Sequence, residues 1–166
     1  HLDVFVSPLF AFPDQVEALL DVTYQSESML TQMIAHLRAP NQTADAVVSM
    51  EAFRKLSEDR AIIDFCRGLM LYAVKLRASD IHLEPGEQVV RVRMRVDGVL
   101  QTIFQIDRAL YPAVVTRFKL LADANISESR LPQDGRLTLS LAYRALDIRF
   151  SSVPTLFGEK LVLRLL

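Results

Sequence analysis

Apolar and charged side chains alternate from Val90 to Val96 within the segment 89–96, and this pattern constrains the fold more than any other in the chain. The segment has the sequence VVRVRMRV. Because successive side chains of a strand point to opposite faces, one face of this strand is apolar and the other carries its arginines. Asp97-Gly98 follows, which is a strong hairpin signal, and residues 99–106 form the returning strand. The pattern therefore predicts an antiparallel sheet with one core face and one basic face.

Further strands and two helices complete the predicted fold. Shorter alternating or apolar runs indicate strands near 81–83, 137–141, 144–150 and 160–166, with a turn at Ala142-Tyr143 and a loop between Pro154 and Gly158. Apolar residues fall on both faces of residues 99–106, so we expect both faces of that strand to be partly covered. Helical spacing of apolar residues predicts helices over 59–77 and 108–122, with Asp107 as a cap of the second. The whole predicts an α+β fold, with about five or six antiparallel strands and helices on one face.

The segment at 131–136 has the sequence LPQDGR and combines turn residues with opposite charges. Proline restricts the backbone and glycine gives it freedom, and turns use both properties. We therefore predict that Asp134-Gly135 bends the chain into the next hairpin. Arg136 is expected to pair with an acidic neighbour and to have a structural role.

Residues 1–58 differ from the rest in charge, because acidic side chains outnumber basic ones there and the reverse holds over 59–166. Pro13 and the acidic residues after it predict a helix start, with one or two helices up to about residue 37. Residues 40–45 are predicted to be a linker, and residues 47–56 are ambiguous. The arm is thus expected to be mostly helical.

Few patterns of known catalytic chemistry occur in the sequence. The three histidines lie far apart, no metal-ligand spacing is present, and the phosphate-binding pattern Gly-x-x-x-x-Gly-Lys-Ser/Thr is missing. We therefore expect no metal or cofactor in this chain alone and no nucleotide hydrolysis by it. No signal peptide or long apolar run is present, which favours a cytoplasmic location.

The arginines are the remaining candidates for a functional role. Residues 91–166 contain ten arginines and two lysines, and the planar guanidinium suits contacts with phosphate or carboxylate. The plainest interpretation pairs most of them with acidic residues such as Asp97, Asp134, Asp147 or Glu159. The three on one strand face repel each other unless acidic groups or anions lie opposite. This excess of positive charge fits a local anionic ligand better than nucleic acid.

Four motifs, in order, carry a resemblance to a known family. They are ASDIHLEP at 78–85, RVDGVL at 95–100, RLPQDGR at 130–136, and PT with GEKLVLR at 154–155 and 158–164. Together they closely resemble the segment that precedes the motor domain in type II secretion and type IV pilus assembly ATPases. The resemblance covers 59–166 and implies a PAS-like domain there. It implies that residues 1–58 are the end of a partner-docking domain plus its linker.

The resemblance also implies a function. Family members work as cytoplasmic hexamers that bind ATP and Mg²⁺ in the motor domain, which would follow Leu166, and that associate with the inner membrane through a platform or docking protein. The segment before the motor moves against it during hydrolysis and contributes arginines to the nucleotide phosphates. The matching positions are Arg93 and Arg108. The alternatives left open are a stand-alone PAS-like module that binds a small ligand and a pure protein-interaction module.

Overall fold

The computed structural model describes residues 55, 57–141 and 145–166. Two helices, α1 (Arg60–Lys75) and α2 (Tyr111–Leu121), accompany six strands. The strands are β1 (Asp80–Pro85), β2 (Val89–Val96), β3 (Val99–Asp107), β4 (Gln133–Ser140), β5 (Ala145–Thr155) and β6 (Gly158–Leu165). The predicted α+β fold is confirmed. The predictions for the N-terminal arm, up to residue 54, and for the turn at 142–143 lie outside the described residues.

All neighbouring strands of the sheet are antiparallel, in the order β3-β2-β1-β6-β5-β4. The first and last strands of the described chain therefore lie side by side at the centre. The β2–β3 hairpin turns at Asp97-Gly98, both with positive φ, as the type I′ turn of a hairpin requires. The α2 segment carries the chain from one edge strand, β3, to the other, β4. Strands that precede and follow α2 thus share one surface.

One face of the sheet packs against both helices and forms the core. α1 begins after Asp59, whose side chain accepts a hydrogen bond from the Ala61 amide. Its apolar stripe and the inward residues of the strands form a single buried cluster. The largest buried side chains there include Phe65, Leu69, Phe118, Phe150 and Leu161. The opposite face of the sheet carries the charged residues, as the alternation over 89–96 predicts. None of the helices in the described ranges is both long and apolar enough to cross a bilayer.

A β-bulge explains why residues 99–106 alternate poorly. Val92 pairs with Phe104, but Arg93 pairs with Thr102, so Ile103 is an extra residue in β3. The extra residue reverses the parity of the strand. Apolar side chains of both parities can then contact the core, and Ile103 and Phe104 are both packed against it.

The predicted bend at Asp134-Gly135 is wrong, because both residues lie within β4. Gly135 pairs with Phe150, and its backbone is not left-handed. A Cβ at Gly135 would lie only 2.5 Å from the carbonyl oxygen of Ala122. Glycine is needed here for the close approach of β4 to the end of α2, and not for a turn.

The loop predicted between Pro154 and Gly158 is a tight turn. β5 continues to Thr155 and β6 begins at Gly158, which leaves Leu156 and Phe157 as the turn residues. Pro154 is tolerated in the strand because β4 pairs with β5 only as far as Ser152. Beyond that point β5 has an open edge, where the missing N–H of proline removes no ladder bond. The predicted helix over 108–122 likewise begins as a 3-10 turn at Arg108–Leu110 before α2.

Candidate functional site

The charged face of the sheet is built from alternate residues of β1, β2 and β6. β1 places Asp80, His82 and Glu84 on this face. The register sets them opposite the three arginines of β2, so that Asp80 faces Arg95 and Glu84 faces Arg91. The acidic partners that the three arginines require are therefore present. They come from β1, and not from the four acidic residues that the sequence suggested.

Glu84 is the centre of the first cluster on this face. Its carboxylate lies 3.3 Å from Arg93 Nη1 and 2.9 Å from Lys160 Nζ, and Arg91 is more distant at 3.9 Å. Burial would raise the pKa of Glu84, but hydrogen bonds and charge from Lys160 and Arg93 outweigh it and lower the pKa. Glu84 is ionised at neutral pH, and it orients Arg93, whose side chain is 30% exposed.

Asp80 forms the second cluster, at the other end of β1. Its carboxylate accepts hydrogen bonds from Arg164 Nε at 2.9 Å and from Ser79 Oγ at 2.8 Å, and Arg95 Nε lies 3.4 Å away. Burial opposes ionisation, yet the hydrogen bonds from Arg164 and Ser79 lower the pKa of Asp80. The two carboxylates of β1 thus hold cations of both neighbouring strands.

His82 lies between these clusters and opposite Arg93. Neither ring nitrogen has a hydrogen-bond partner among the described residues. Desolvation and the positive charge of Lys160 lower the pKa of His82. At neutral pH the ring is therefore uncharged and adds no further cation to the face.

Arg108 lies outside this face, in the 3-10 turn that follows β3. Its Nη1 donates a hydrogen bond of 2.6 Å to the carbonyl of Glu87, in the turn between β1 and β2. Its guanidinium carbon lies 5.7 Å from the centre of the Phe157 ring, a cation–π distance. Arg93 and Arg108 share no contact within the described residues. Both nevertheless have partners near the same end of β1, since Arg93 pairs with Glu84 of that strand and Arg108 bonds to Glu87 in the turn that follows it.

A pocket of about 420 Å³ lies beside Arg108, between α2 and the β5–β6 turn. At its wall, Lys119 Nζ pairs with Glu159 Oε1 at 2.6 Å, and both side chains are almost fully buried. Lys119 also donates to the Glu128 carbonyl at 2.5 Å. This buried ion pair ties α2 to the start of β6.

Sequence reasoning missed the Lys119–Glu159 pair. A signal was present, because a lysine directly after Phe118 in an apolar helix needs a partner when it is buried. Tyr111 was missed as well. Its hydroxyl donates to the Glu159 carbonyl at 2.6 Å and lies 3.2 Å from the Leu83 carbonyl. These contacts fasten the start of α2, and with it Arg108, to β1 and β6.

Arg136 does not have the acidic partner that was expected. It is exposed on β4, and the residue directly opposite is Arg149 of β5. No carboxylate within the described residues forms an ion pair with it. The prediction of a structural pairing is therefore wrong, because the strand places a like charge at the neighbouring position.

Comparison with known proteins shows that the sequence of this chain is similar to those of secretion and pilus-assembly proteins. The family described as type II/IV secretion system protein matches residues 55–166. The type II secretion system protein E of Xanthomonas campestris is 46% identical over 129 residues, which cover 75% of this chain and 23% of that protein. The type IV pilus assembly ATPase PilB of Acinetobacter baylyi is 35% identical over 170 residues, covering 97% and 28%. The chain thus spans about a quarter of the length of these relatives.

Proposed function

Because the chain belongs to the family of type II/IV secretion system proteins, we propose that it is the part of a secretion or pilus-assembly ATPase that supplies two arginines to a nucleotide. The nucleotide would be bound by a separate motor domain of the same protein. Arg93 and Arg108 are the residues proposed to contact its phosphates. The observation that carries the proposal is the family match over 55–166, which includes both arginines.

The present partners of Arg93 and Arg108 support this role, because each arginine can exchange its partner for a phosphate with little loss of free energy. Arg108 is held by a backbone carbonyl and an aromatic ring, and neither neutralises its charge. Arg93 shares Glu84 with Lys160, so Glu84 stays paired when Arg93 turns away. A guanidinium forms stronger and shorter hydrogen bonds with phosphate than with a neutral carbonyl.

In the proposed mechanism, ATP hydrolysis at the motor domain with Mg²⁺ supplies the free energy. Arg93 and Arg108 stabilise the negative charge of the terminal phosphate and lose a partner when that phosphate leaves. Glu84 orients Arg93 toward the open face of the sheet. Tyr111 and the Lys119–Glu159 pair keep the start of α2 in place, so that Arg108 needs little reorganisation.

The remaining parts of the proposal concern the whole protein. Residues 59–166 would form a PAS-like unit that moves relative to the motor domain during turnover, in a homo-hexamer. Residues 1–58 would dock the assembly on an inner-membrane platform protein, which keeps it at the cytoplasmic side. No role for nucleic acid is proposed. The PAS likeness and the division at residue 58 remain predictions.

The experiment compares turnover of the full-length ATPase with that of single variants. Arg93→Ala and Arg108→Ala should each lower kcat by about 10³-fold or more, the size typical of arginine fingers. Arg91→Ala is the matched control, since Arg91 lies on the same strand and face but is 59% exposed and only loosely paired. It should change kcat less than about three-fold. Full turnover in both the Arg93 and the Arg108 variants would refute the assignment.

A further inference from the structure

A row of side chains crosses the charged face of the sheet from β2 to β4. The register sets Arg95 opposite Asp80, Asp80 opposite Arg164, Arg164 opposite Arg149, and Arg149 opposite Arg136. Directly opposite residues of an antiparallel sheet share a face. Three arginines therefore lie side by side on β6, β5 and β4, with a carboxylate at one end of the row only.

Charge in this arginine row, Arg164, Arg149 and Arg136, is only partly balanced. Arg164 donates to Asp80 and its side chain still remains 63% exposed. Arg149 and Arg136 are exposed, and neither forms an ion pair within the described residues. The other acidic residues on this part of the face, Asp134 and Asp147, are set opposite Ser151 and Thr138 instead.

Like charges directly opposite each other destabilise a sheet, whereas opposite charges stabilise it. Two carboxylates of the sheet, Asp134 and Asp147, lie next to this row, two residues away along β4 and β5. Neither forms an ion pair with an arginine of the row within the described residues. An external anionic group would relieve the repulsion and gain charge-assisted hydrogen bonds from several guanidinium groups at once. The arginine row is thus suited to bind a partner that carries several negative charges.

The shape beside the row favours a protein over a nucleotide. A shallow depression of about 220 Å³ adjoins Arg149 and Arg164, and its lining includes Ser151 and Val162. The aromatic residue in its lining, Phe150, is buried in the core and offers no exposed ring on which a base could stack. Asp134 also lines the depression, and with no exposed ring for stacking this shallow mixed surface suits a segment of another protein better than a base.

Spacing identifies the kind of segment that fits. Neighbouring strands lie about 4.8 Å apart, so the three arginines span about 10 Å across the strands. On an α-helix, residues i, i+4 and i+7 share a face and span about 10.5 Å. We propose that the arginine row is a docking surface for a protein helix with carboxylates at i, i+4 and i+7. This proposal does not rest on the nucleotide contacts of Arg93 and Arg108.

The test uses the 166-residue chain and a synthetic helical peptide with glutamates at i, i+4 and i+7, and a matched peptide with glutamines in their place. Calorimetry at low salt should show binding of the glutamate peptide only. Arg136→Gln combined with Arg149→Gln should weaken binding about ten-fold or more. Arg60→Gln with Arg130→Gln removes the same formal charge from side chains that are 87% and 88% exposed elsewhere, and should change binding less than about two-fold.

Three results would overturn the proposal. They are equal weakening in both double variants, equal binding of the glutamine peptide, and inorganic tripolyphosphate that binds more tightly than the glutamate peptide and displaces it. The last result would assign the row to a phosphate ligand. A series of peptides that lose one glutamate at a time keeps the test valid if a double variant does not fold. In that series each loss should lower the affinity for the unchanged chain.

Discussion

Arginine side chains have different surroundings in the two halves of the charged face. On the half formed by β1 and β2, each arginine of β2 pairs with a carboxylate of β1. On the half formed by β4 and β5, Arg136 and Arg149 face each other. In the first half the guanidinium groups are held in ion pairs. In the second half neither arginine forms an ion pair within the described residues, although Asp134 and Asp147 lie on the same face. One arginine-rich face can thus contain arginines that are held by carboxylates and arginines that are not.

The topology explains the difference. The two carboxylates that form ion pairs on this face, Asp80 and Glu84, belong to β1, which lies at the centre of the sheet between β2 and β6. Asp80 and Glu84 can therefore reach cations on either neighbouring strand, but not those on β4 and β5. Within the described residues the ion pairs on this face join β1 to β2 and β6, and Arg136 and Arg149 on the outer strands form none.

The largest expected change in the free energy of unfolding concerns the packing of β4. Gly135→Ala should destabilise the chain by about 2 to 3 kcal/mol, because the new Cβ would meet the Ala122 carbonyl oxygen at 2.5 Å and the Ala122 Cβ at 2.9 Å. Gly98→Ala, in the hairpin of the other half, should cost about 1 kcal/mol, since that site has space but a φ of +80°. Urea unfolding of both variants measures the two values. The reverse order would show that conformation, and not space, limits the β4 half.

The next effect tests neutralisation on the β1 half. Asp80→Asn should destabilise the chain by about 1 to 2 kcal/mol at pH 7, because Arg95 and Arg164 lose their shared carboxylate while remaining partly exposed. The pKa of Asp80 is lowered in the folded chain. Its contribution is therefore complete above the unfolded pKa and is lost as the pH falls through the folded pKa.

The free energies of unfolding of the wild-type chain and of the Asp80→Asn variant should thus differ most at neutral pH and converge below about pH 4. Asp97→Asn in the exposed hairpin turn is the control, since asparagine also tolerates a positive φ. A difference between wild type and the Asp80 variant that is the same at pH 3 and pH 7 would contradict the ion-pair explanation.

The smallest effect compares the two halves directly. Arg149→Gln should stabilise the chain by about 0.5 kcal/mol at low salt, because Arg149 faces like charges on both neighbouring strands. Arg91→Gln should have no stabilising effect, since Arg91 lies near Glu84. Thermal unfolding at low and high salt measures both, and the gain for Arg149 should shrink when salt screens the repulsion. Equal signs for both variants would remove the distinction between the halves.

Local features of the fold could be predicted from the residues, whereas contacts between distant elements could not. The alternation over 89–96 and the Asp97-Gly98 turn are local signals, and the structure confirms both. The bend at Asp134-Gly135 was wrong because the same residues serve either a turn or a close approach to another element. The need for acidic groups near the β2 arginines was predicted and is confirmed, but their identity as Asp80 and Glu84 was not, because pairing across the sheet depends on register.

By itself, the sequence determined the fold class, the existence of a charged sheet face and the family resemblance, because periodicity and short motifs are properties of neighbouring residues. Only the tertiary structure decided which cations are neutralised. It brought β1 between β2 and β6, buried Lys119 against Glu159, and aligned Arg136, Arg149 and Arg164 in one row. The physical reason is that electrostatic balance depends on distances of a few ångströms between residues far apart in the chain, and strand order and register set those distances.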